Sequence, residues 1–183
     1  MNSVTRHVPN LLTGIRLLLI PVLVYLLLSG YFESALYLII VMGLTDAFDG
    51  FIAKKLNCVS RFGEFFDPIC DKFMLVSTTI TLAYMGLLPV WLVLLIIARD
   101  LIIVTGGYTY YVYIAKFRAN PSILSKANTF FQLLLTVIVI YSQINFVPAQ
   151  WIGGLINIVA ATTSLSGIAY VWTWGRSAIR SRA

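Results

Sequence analysis

Four aspartates, Asp46, Asp49, Asp67 and Asp71, fall within 26 residues of a chain that has seven acidic residues in all. Glu64 sits among them, and the remainder of the chain holds only Glu33 and Asp100. Asp46 and Asp49 are three apart and Asp67 and Asp71 four apart; on helices each spacing puts its pair on one face. Oxygen-only donors of this kind suit hard divalent cations such as Mg²⁺, Mn²⁺ or Ca²⁺. Four carboxylates are about the number needed to hold two such ions, which together clamp a phosphoryl group and stabilise its attacking and leaving oxygens. The chemistry indicated is phosphoryl transfer.

The neighbouring residues fit that reading. Gly50, directly after Asp49, removes a side chain where a phosphate or nucleotide would approach the backbone, and Gly63 does the same for helix contact. Ala53 keeps the same face narrow. Lys54 and Lys55 supply cations beside a phosphate, or serve as topology anchors at a membrane surface. Helix capping and pairing with Lys54, Arg61 and Lys72 would account for one pair of aspartates. It does not account for two pairs at helical spacing in a chain otherwise poor in acid.

The elements that must position these residues are apolar. Of 183 residues, 60% are hydrophobic and 11% charged, and the mean hydropathy is +0.90, far from the soluble average of about a quarter charged. Apolar runs near the roughly 20 residues needed to span a bilayer recur throughout. They predict an all-α polytopic membrane protein with six transmembrane helices at about 10–29, 33–53, 68–87, 89–114, 123–144 and 149–172, in a single domain over 1–183. No small-residue cleavage motif closes the first run, which argues against a cleaved signal peptide.

Thirteen Lys and Arg give a net charge of +6, and their placement orients the chain. Arg6 precedes the first span; Lys54, Lys55 and Arg61 follow the second, Lys116 and Arg118 the fourth, and Arg176, Arg180 and Arg182 the sixth. The three alternate loops carry no Lys or Arg, so the positive-inside rule places both termini and the acidic segment in the cytoplasm. Topology and attraction to anionic lipid account for the charge excess, and no nucleic-acid partner is expected. Cys58 and Cys70 lie on the reducing side, where a structural disulfide is not expected. His7 is the lone histidine, so no zinc site is expected. No internal repeat of the transporter kind is visible.

The spacing from Asp46 through Asp49-Gly50, Ala53-Lys54, Gly63, Asp67 and Asp71 resembles the signature of the CDP-alcohol phosphatidyltransferase family, D-x-x-D-G-x-x-A-R-x8-G-x3-D-x3-D. Every fixed position matches except the Arg, which is Lys54 here. The six spans also agree with that family's six-helix membrane domain, and the resemblance extends over essentially the whole chain. It implies that Asp46, Asp49, Asp67 and Asp71 hold two Mg²⁺ or Mn²⁺ ions per active site, and that Asp71 also acts as general base. An acceptor hydroxyl would then attack the β-phosphorus of CDP-diacylglycerol and release CMP. Asp46, Gly50, Ala53, Lys54, Ser60 and Gly63 would lie along the CDP-diacylglycerol. Lys54 keeps the charge of the Arg but not its planar, bidentate fork.

The N-terminal PNLLTGIR resembles the opening of the branch that makes phosphatidylglycerophosphate and cardiolipin, with Asn10, Thr13 and Arg16 on one helical face. There Asn10 and Thr13 would join the CDP-diacylglycerol site. Arg16 either snorkels to the cytoplasmic interface or meets a nucleotide or acceptor phosphate. In the second half, Arg99-Asp100 is a self-neutralising pair or one that faces the catalytic cavity, and Arg99, Arg118 and Lys126 together would hold an anionic acceptor. Ser125, Asn128, Thr129 and Gln132 have interhelical hydrogen bonding as their plainest role.

PSILSKANTFFQ resembles the cardiolipin synthase pattern, which makes phosphatidylglycerol the first-choice acceptor. RFGEFFDP looks as much like the phosphatidylglycerophosphate synthases and keeps glycerol 3-phosphate open. The resemblance further implies a homodimer, and the expected location is a bacterial inner membrane with the site facing the cytoplasm. Two other readings use the same residues: a divalent-cation carrier, whose site belongs near the midplane, and a noncatalytic lipid-binding relic.

Overall fold

In a computed structural model of the chain, the backbone is described for residues 4–56, 61–113 and 123–180, and side chains for 14–45, 70–106 and 123–172. Six helices make up the described structure, with no strand among the described residues: α1 (Val4–Leu28), α2 (Phe32–Leu56), α3 (Arg61–Tyr84), α4 (Val90–Tyr113), α5 (Ile123–Tyr141) and α6 (Ala149–Arg180). The all-helical expectation holds.

The largest departures from the hydropathy reading are at three boundaries. α1 begins at Val4, α3 at Arg61 and α6 reaches Arg180, because backbone hydrogen bonding continues past the point where the apolar run stops. In α3 the added turns hold Gly63, Glu64 and Asp67, and the helix runs through Pro68, which has no N–H to donate to the Glu64 carbonyl one turn back.

Two helix ends show why short, uncharged turns suffice. After α1 the Gly30 N–H donates to the Leu27 carbonyl and the Tyr31 N–H to the Leu26 carbonyl, both at 2.9 Å. That is a Schellman cap with Gly30 in the left-handed region at φ 78°. α3 ends the same way, with Gly86 at φ 75° and the Leu87 N–H donating to the Leu82 carbonyl.

The chain divides into two compact units, residues 1–87 with 136–146, and 88–135 with 147–183. In the first, α1 packs against both α2 and α3. Its buried stripe is Arg16, Ile20, Leu23 and Leu27; Ala35, Ile39 and Met42 of α2 are also buried, both sets at the three- or four-residue step of a helix face, as are Cys70, Met74 and Leu75 of α3, where Cys70 is four residues from Met74. Further along α3, the buried hydroxyls of Thr78 and Thr79 donate to the carbonyls of Met74 and Leu75 one turn back, so these two side chains are satisfied within their own helix.

In the second unit α4 packs on α6. Leu92, Val93 and Ile96 of α4, Leu135 of α5 and Val159 of α6 are buried there.

Among the described residues large apolar side chains are exposed as well as buried, and several buried positions are polar. Arg16, Arg99, Asn128, Gln132, Thr163 and Ser166 are buried, while Leu18, Leu94, Trp151 and Ile168 are exposed. Polar groups bonded across helices, as Arg99 is to Ser125 and Ser166, and apolar side chains outside are what hydrocarbon surroundings select. Among the described residues, Ile123–Tyr141 and Ala149–Trp172 are long and apolar enough to cross a membrane, and Gly14–Leu28 and Phe32–Thr45 are shorter apolar stretches.

Candidate active site

The aspartates sit on two neighbours of the same helix. Asp46 and Asp49 lie in the C-terminal half of α2, and Asp67 and Asp71 in the N-terminal half of α3; both helices pack on α1. Of the four, Asp71 has a described side chain, and its position is informative. It is 38% exposed, and its Oδ1 accepts a hydrogen bond from Arg16 Nη1 at 3.2 Å, while the Arg16 side chain is 5% exposed. The guanidinium is buried and the carboxylate is open.

That geometry overturns snorkelling as the role of Arg16. A snorkelling cation carries its head to water, whereas this one is held between α1 and α3 against an acid. The side chains of Asn10, Thr13, Asp46, Asp49, Gly50, Ala53, Lys54, Gly63 and Asp67, and the whole of Ser60 and Arg118, lie outside the described residues. The backbone places Asn10 and Thr13 on α1, Gly50, Ala53 and Lys54 on α2 and Gly63 on α3. The donor set fits a hard divalent ion: all four members are carboxylates at helical spacing on the same two helices, and the described one, Asp71, is 38% exposed.

The second unit holds a polar cluster built around Arg99. Its side chain is 3% exposed. Nη1 donates to Asp100 Oδ1 at 2.7 Å, and Nη2 donates to Ser125 Oγ of α5 and Ser166 Oγ of α6, each at 2.7 Å. The self-neutralising pair expected of Arg99-Asp100 is present, and the guanidinium ties three helices. Asn128 of α5, fully buried, accepts from Thr162 Oγ1 at 2.9 Å and Thr163 Oγ1 at 2.8 Å on α6, which is the interhelical role expected of it.

Lys126, by contrast, is exposed on α5. Arg99 and Lys126 therefore meet different surroundings, one inside the helix packing and one outside it. Sequence reasoning missed Thr162, Thr163 and Ser166. Hydroxyls in an apolar helix have a local carbonyl to bond in any case, so nothing in the sequence marked these as partners of Asn128 and Arg99.

An open groove of about 660 Å³ lies beside this cluster, between α4 and α6. Leu95, Ala98 and Ile102 line one side and Gly167, Ile168 and Trp172 the other, with Arg99 in its wall. At Gly167 an added Cβ would come 3.6 Å from Arg99 Cγ.

Comparison with known proteins bears out the resemblance. The chain is 34% identical to a rat protein named cardiolipin synthase (CMP-forming), over 94% of this chain and 63% of the relative. It is 31% identical to a Drosophila melanogaster protein named probable cardiolipin synthase (CMP-forming), over 90% of this chain and 56% of the relative. It thus spans about three fifths of the length of these animal relatives. A Rickettsia prowazekii protein named CDP-diacylglycerol--glycerol-3-phosphate 3-phosphatidyltransferase is 31% identical over 91% of this chain and 94% of its own length. The sequence pattern of the CDP-alcohol phosphatidyltransferases matches residues 6–170, which takes in both aspartate pairs, Arg16 and the Arg99 cluster, and the chain belongs to that family.

Proposed function

We propose that the protein is a phospholipid-synthesising enzyme that transfers a phosphatidyl group from CDP-diacylglycerol to a glycerol-based acceptor and releases CMP. The observation that carries this is the complete series of four aspartates on α2 and α3 within a chain of the family. Asp46, Asp49, Asp67 and Asp71 would hold two Mg²⁺ or Mn²⁺ ions. Such ions, when bound, stabilise the charge that develops on the attacking and leaving oxygens. Asp71 takes the proton of the acceptor hydroxyl as that oxygen bonds to the β-phosphorus and the bond from phosphorus to CMP breaks. Asn10, Thr13, Asp46, Gly50, Ala53, Lys54, Ser60 and Gly63 form the CDP-diacylglycerol site, and Arg16, Arg99, Arg118 and Lys126 the acceptor side.

Phosphatidylglycerol, giving cardiolipin, is the first-choice acceptor. The PSILSKANTFFQ segment supports it, and the apolar groove between α4 and α6 offers an acyl chain a place that glycerol 3-phosphate would not use. Glycerol 3-phosphate is the second reading, favoured by relatives such as the Rickettsia protein that this chain covers almost end to end.

In this reading the chain is one domain with six membrane-crossing helices, both termini cytoplasmic, in a bacterial inner membrane. It works as a homodimer; at Gly153 and Gly154 an added Cβ would meet nothing within 4 Å, which leaves room for a neighbouring helix. The test is purified protein with CDP-diacylglycerol and each acceptor, followed by analysis of the lipid product and of CMP. Cardiolipin from phosphatidylglycerol supports the first choice, and phosphatidylglycerophosphate the second. Divalent-cation transport by proteoliposomes that release no CMP with any acceptor would replace both with the carrier.

A further inference from the structure

Arg99 meets two surroundings at once. Its head is tied into the helix packing, with Nη1 on Asp100 and Nη2 on Ser125 and Ser166, and Nε is buried as well. The same residue stands in the wall of the groove between α4 and α6. With its nitrogens engaged or covered, what it shows there is its stem. Cγ lies 3.6 Å from where a Cβ on Gly167 would be, and Gly167 lines the groove too. A long basic side chain divides in this way because its methylenes and its charge suit different surroundings. Thr163 behaves alike: it borders the groove, but its hydroxyl donates to Asn128 Oδ1 at 2.8 Å.

The groove is therefore walled by carbon although it contains an arginine. Its lining runs along residues 95–102 of α4 and 163–172 of α6. Spread over that length, its volume of about 660 Å³ is about 8–9 Å across, against roughly 10–12 Å for a helix with its side chains. An uncharged wall of this width suits an extended hydrocarbon chain, and neither a charged headgroup nor a whole helix of a second copy. Two small residues hold it open: Ala98, exposed on α4, and Gly167 of α6. Continuity with the proposed acceptor side indicates which lipid enters, because Arg99 is bonded to Ser125 and the next residue, Lys126, is exposed on α5. We propose that the groove seats part of one acyl chain of the acceptor phospholipid, with Ala98 and Gly167 as the specificity-determining residues that admit it. This deepens the phosphatidylglycerol reading and rests on it for the identity of the lipid. Arg99 then serves the acceptor through its methylenes, while its charge serves the fold. A chain already in the bilayer gains little by moving onto apolar side chains; what the groove adds is a fixed orientation of the lipid.

The test uses purified full-length protein in phosphatidylcholine vesicles with a phosphatidylglycerol that carries a diazirine in one acyl chain. After photolysis the crosslinks are mapped by mass spectrometry. They are expected on the groove-lining residues above the level on Leu94 and Leu165, exposed residues of the same two helices outside the groove. Added phosphatidylglycerol should displace them, and the same amount of phosphatidylcholine should not. Ala98→Leu adds bulk at an exposed position and should remove most of the groove crosslinks. In CMP release it should raise the KM for phosphatidylglycerol by about 10-fold or more, the scale on which added methylenes change a hydrophobic pocket, with the KM for CDP-diacylglycerol unchanged. Leu165→Phe, bulky but outside the groove, should alter neither readout. Gly167→Ala is the milder second variant, since its Cβ would meet Arg99 at 3.6 Å, an ordinary contact that leaves the fold intact.

Crosslinks spread evenly over exposed apolar residues, or unchanged in Ala98→Leu, would overturn the proposal. A KM that rises for CDP-diacylglycerol and not for phosphatidylglycerol would give the groove to the donor lipid, and a dimer that dissociates in Ala98→Leu with crosslinks unchanged would give it to a second copy; either result overturns the proposal as well. Should the protein release CMP with glycerol 3-phosphate alone, the phosphatidylglycerol reading fails. Crosslinks that phosphatidylglycerol still displaces and Ala98→Leu still removes would then keep the groove as a site for that lipid, and their absence would end it too.

Discussion

Ser166 Oγ accepts a 2.7 Å hydrogen bond from Arg99 Nη2 across α4 and α6, so a residue read from the sequence as an acceptor anchor is already engaged by its own fold. The same nitrogen serves Ser125 on α5, and the neighbouring Nη1 serves Asp100.

Arg99 can thus be tested for structural and substrate roles separately. Arg99→Leu leaves Asp100, with 14% of its side chain exposed, without this cation, and breaking such a pair costs about 3–5 kcal/mol. Ser166→Ala removes one acceptor of a charged donor and should cost about 1.5–3 kcal/mol. Thermal unfolding in detergent checks both. An acceptor KM that rises in Arg99→Lys while the melting temperature holds would restore Arg99 to the binding site.

Replacement of Asp46, Asp49 or Asp67 by Asn removes a charged oxygen ligand. Turnover should fall by orders of magnitude in each variant, and wild-type activity should vanish in excess chelator and return with Mg²⁺ or Mn²⁺. Near-normal rates in all three variants would end the two-ion reading.

Lys126, proposed for the acceptor side, is exposed on α5. Lys126→Ala should raise the apparent KM for the acceptor more than that for CDP-diacylglycerol, because it removes binding at one subsite. Equal changes in the two KM values would assign it a general membrane-surface role.

The groove separates the two acceptors. Gly167→Leu would fill space beside Arg99 and Ile102, and should depress use of phosphatidylglycerol while sparing glycerol 3-phosphate. Competition between the two acceptors in one vesicle assay measures the ratio directly. An unchanged ratio would remove the groove from the acceptor argument.

Gly30 tests the fold alone. An added Cβ would meet nothing within 4 Å there, but φ is +78°, so Gly30→Ala isolates backbone strain. The expected loss is about 1–2 kcal/mol, seen as a lower melting temperature with kcat unaffected.

The sequence by itself determined the helical class, the placement of the aspartate pairs and the family, because each depends on local spacing: three- and four-residue steps for the pairs, apolar runs for the helices and fixed intervals for the signature. It located the helix ends less well. Hydropathy changes at Pro68, whereas α3 starts at Arg61, because a helix is bounded by its hydrogen bonds and not by its polarity.

What only the tertiary structure decided was the partner of each buried polar group. Arg16 reads the same from the sequence whether it snorkels, binds phosphate or grips Asp71. Likewise, nothing local distinguishes Ser166 from a hydroxyl bonded to its own helix. Contacts between residues 55 or 67 positions apart depend on which helix faces turn toward each other. That choice is made by packing the whole set of stripes at once, since a buried charge is tolerable only where another helix brings its counterpart.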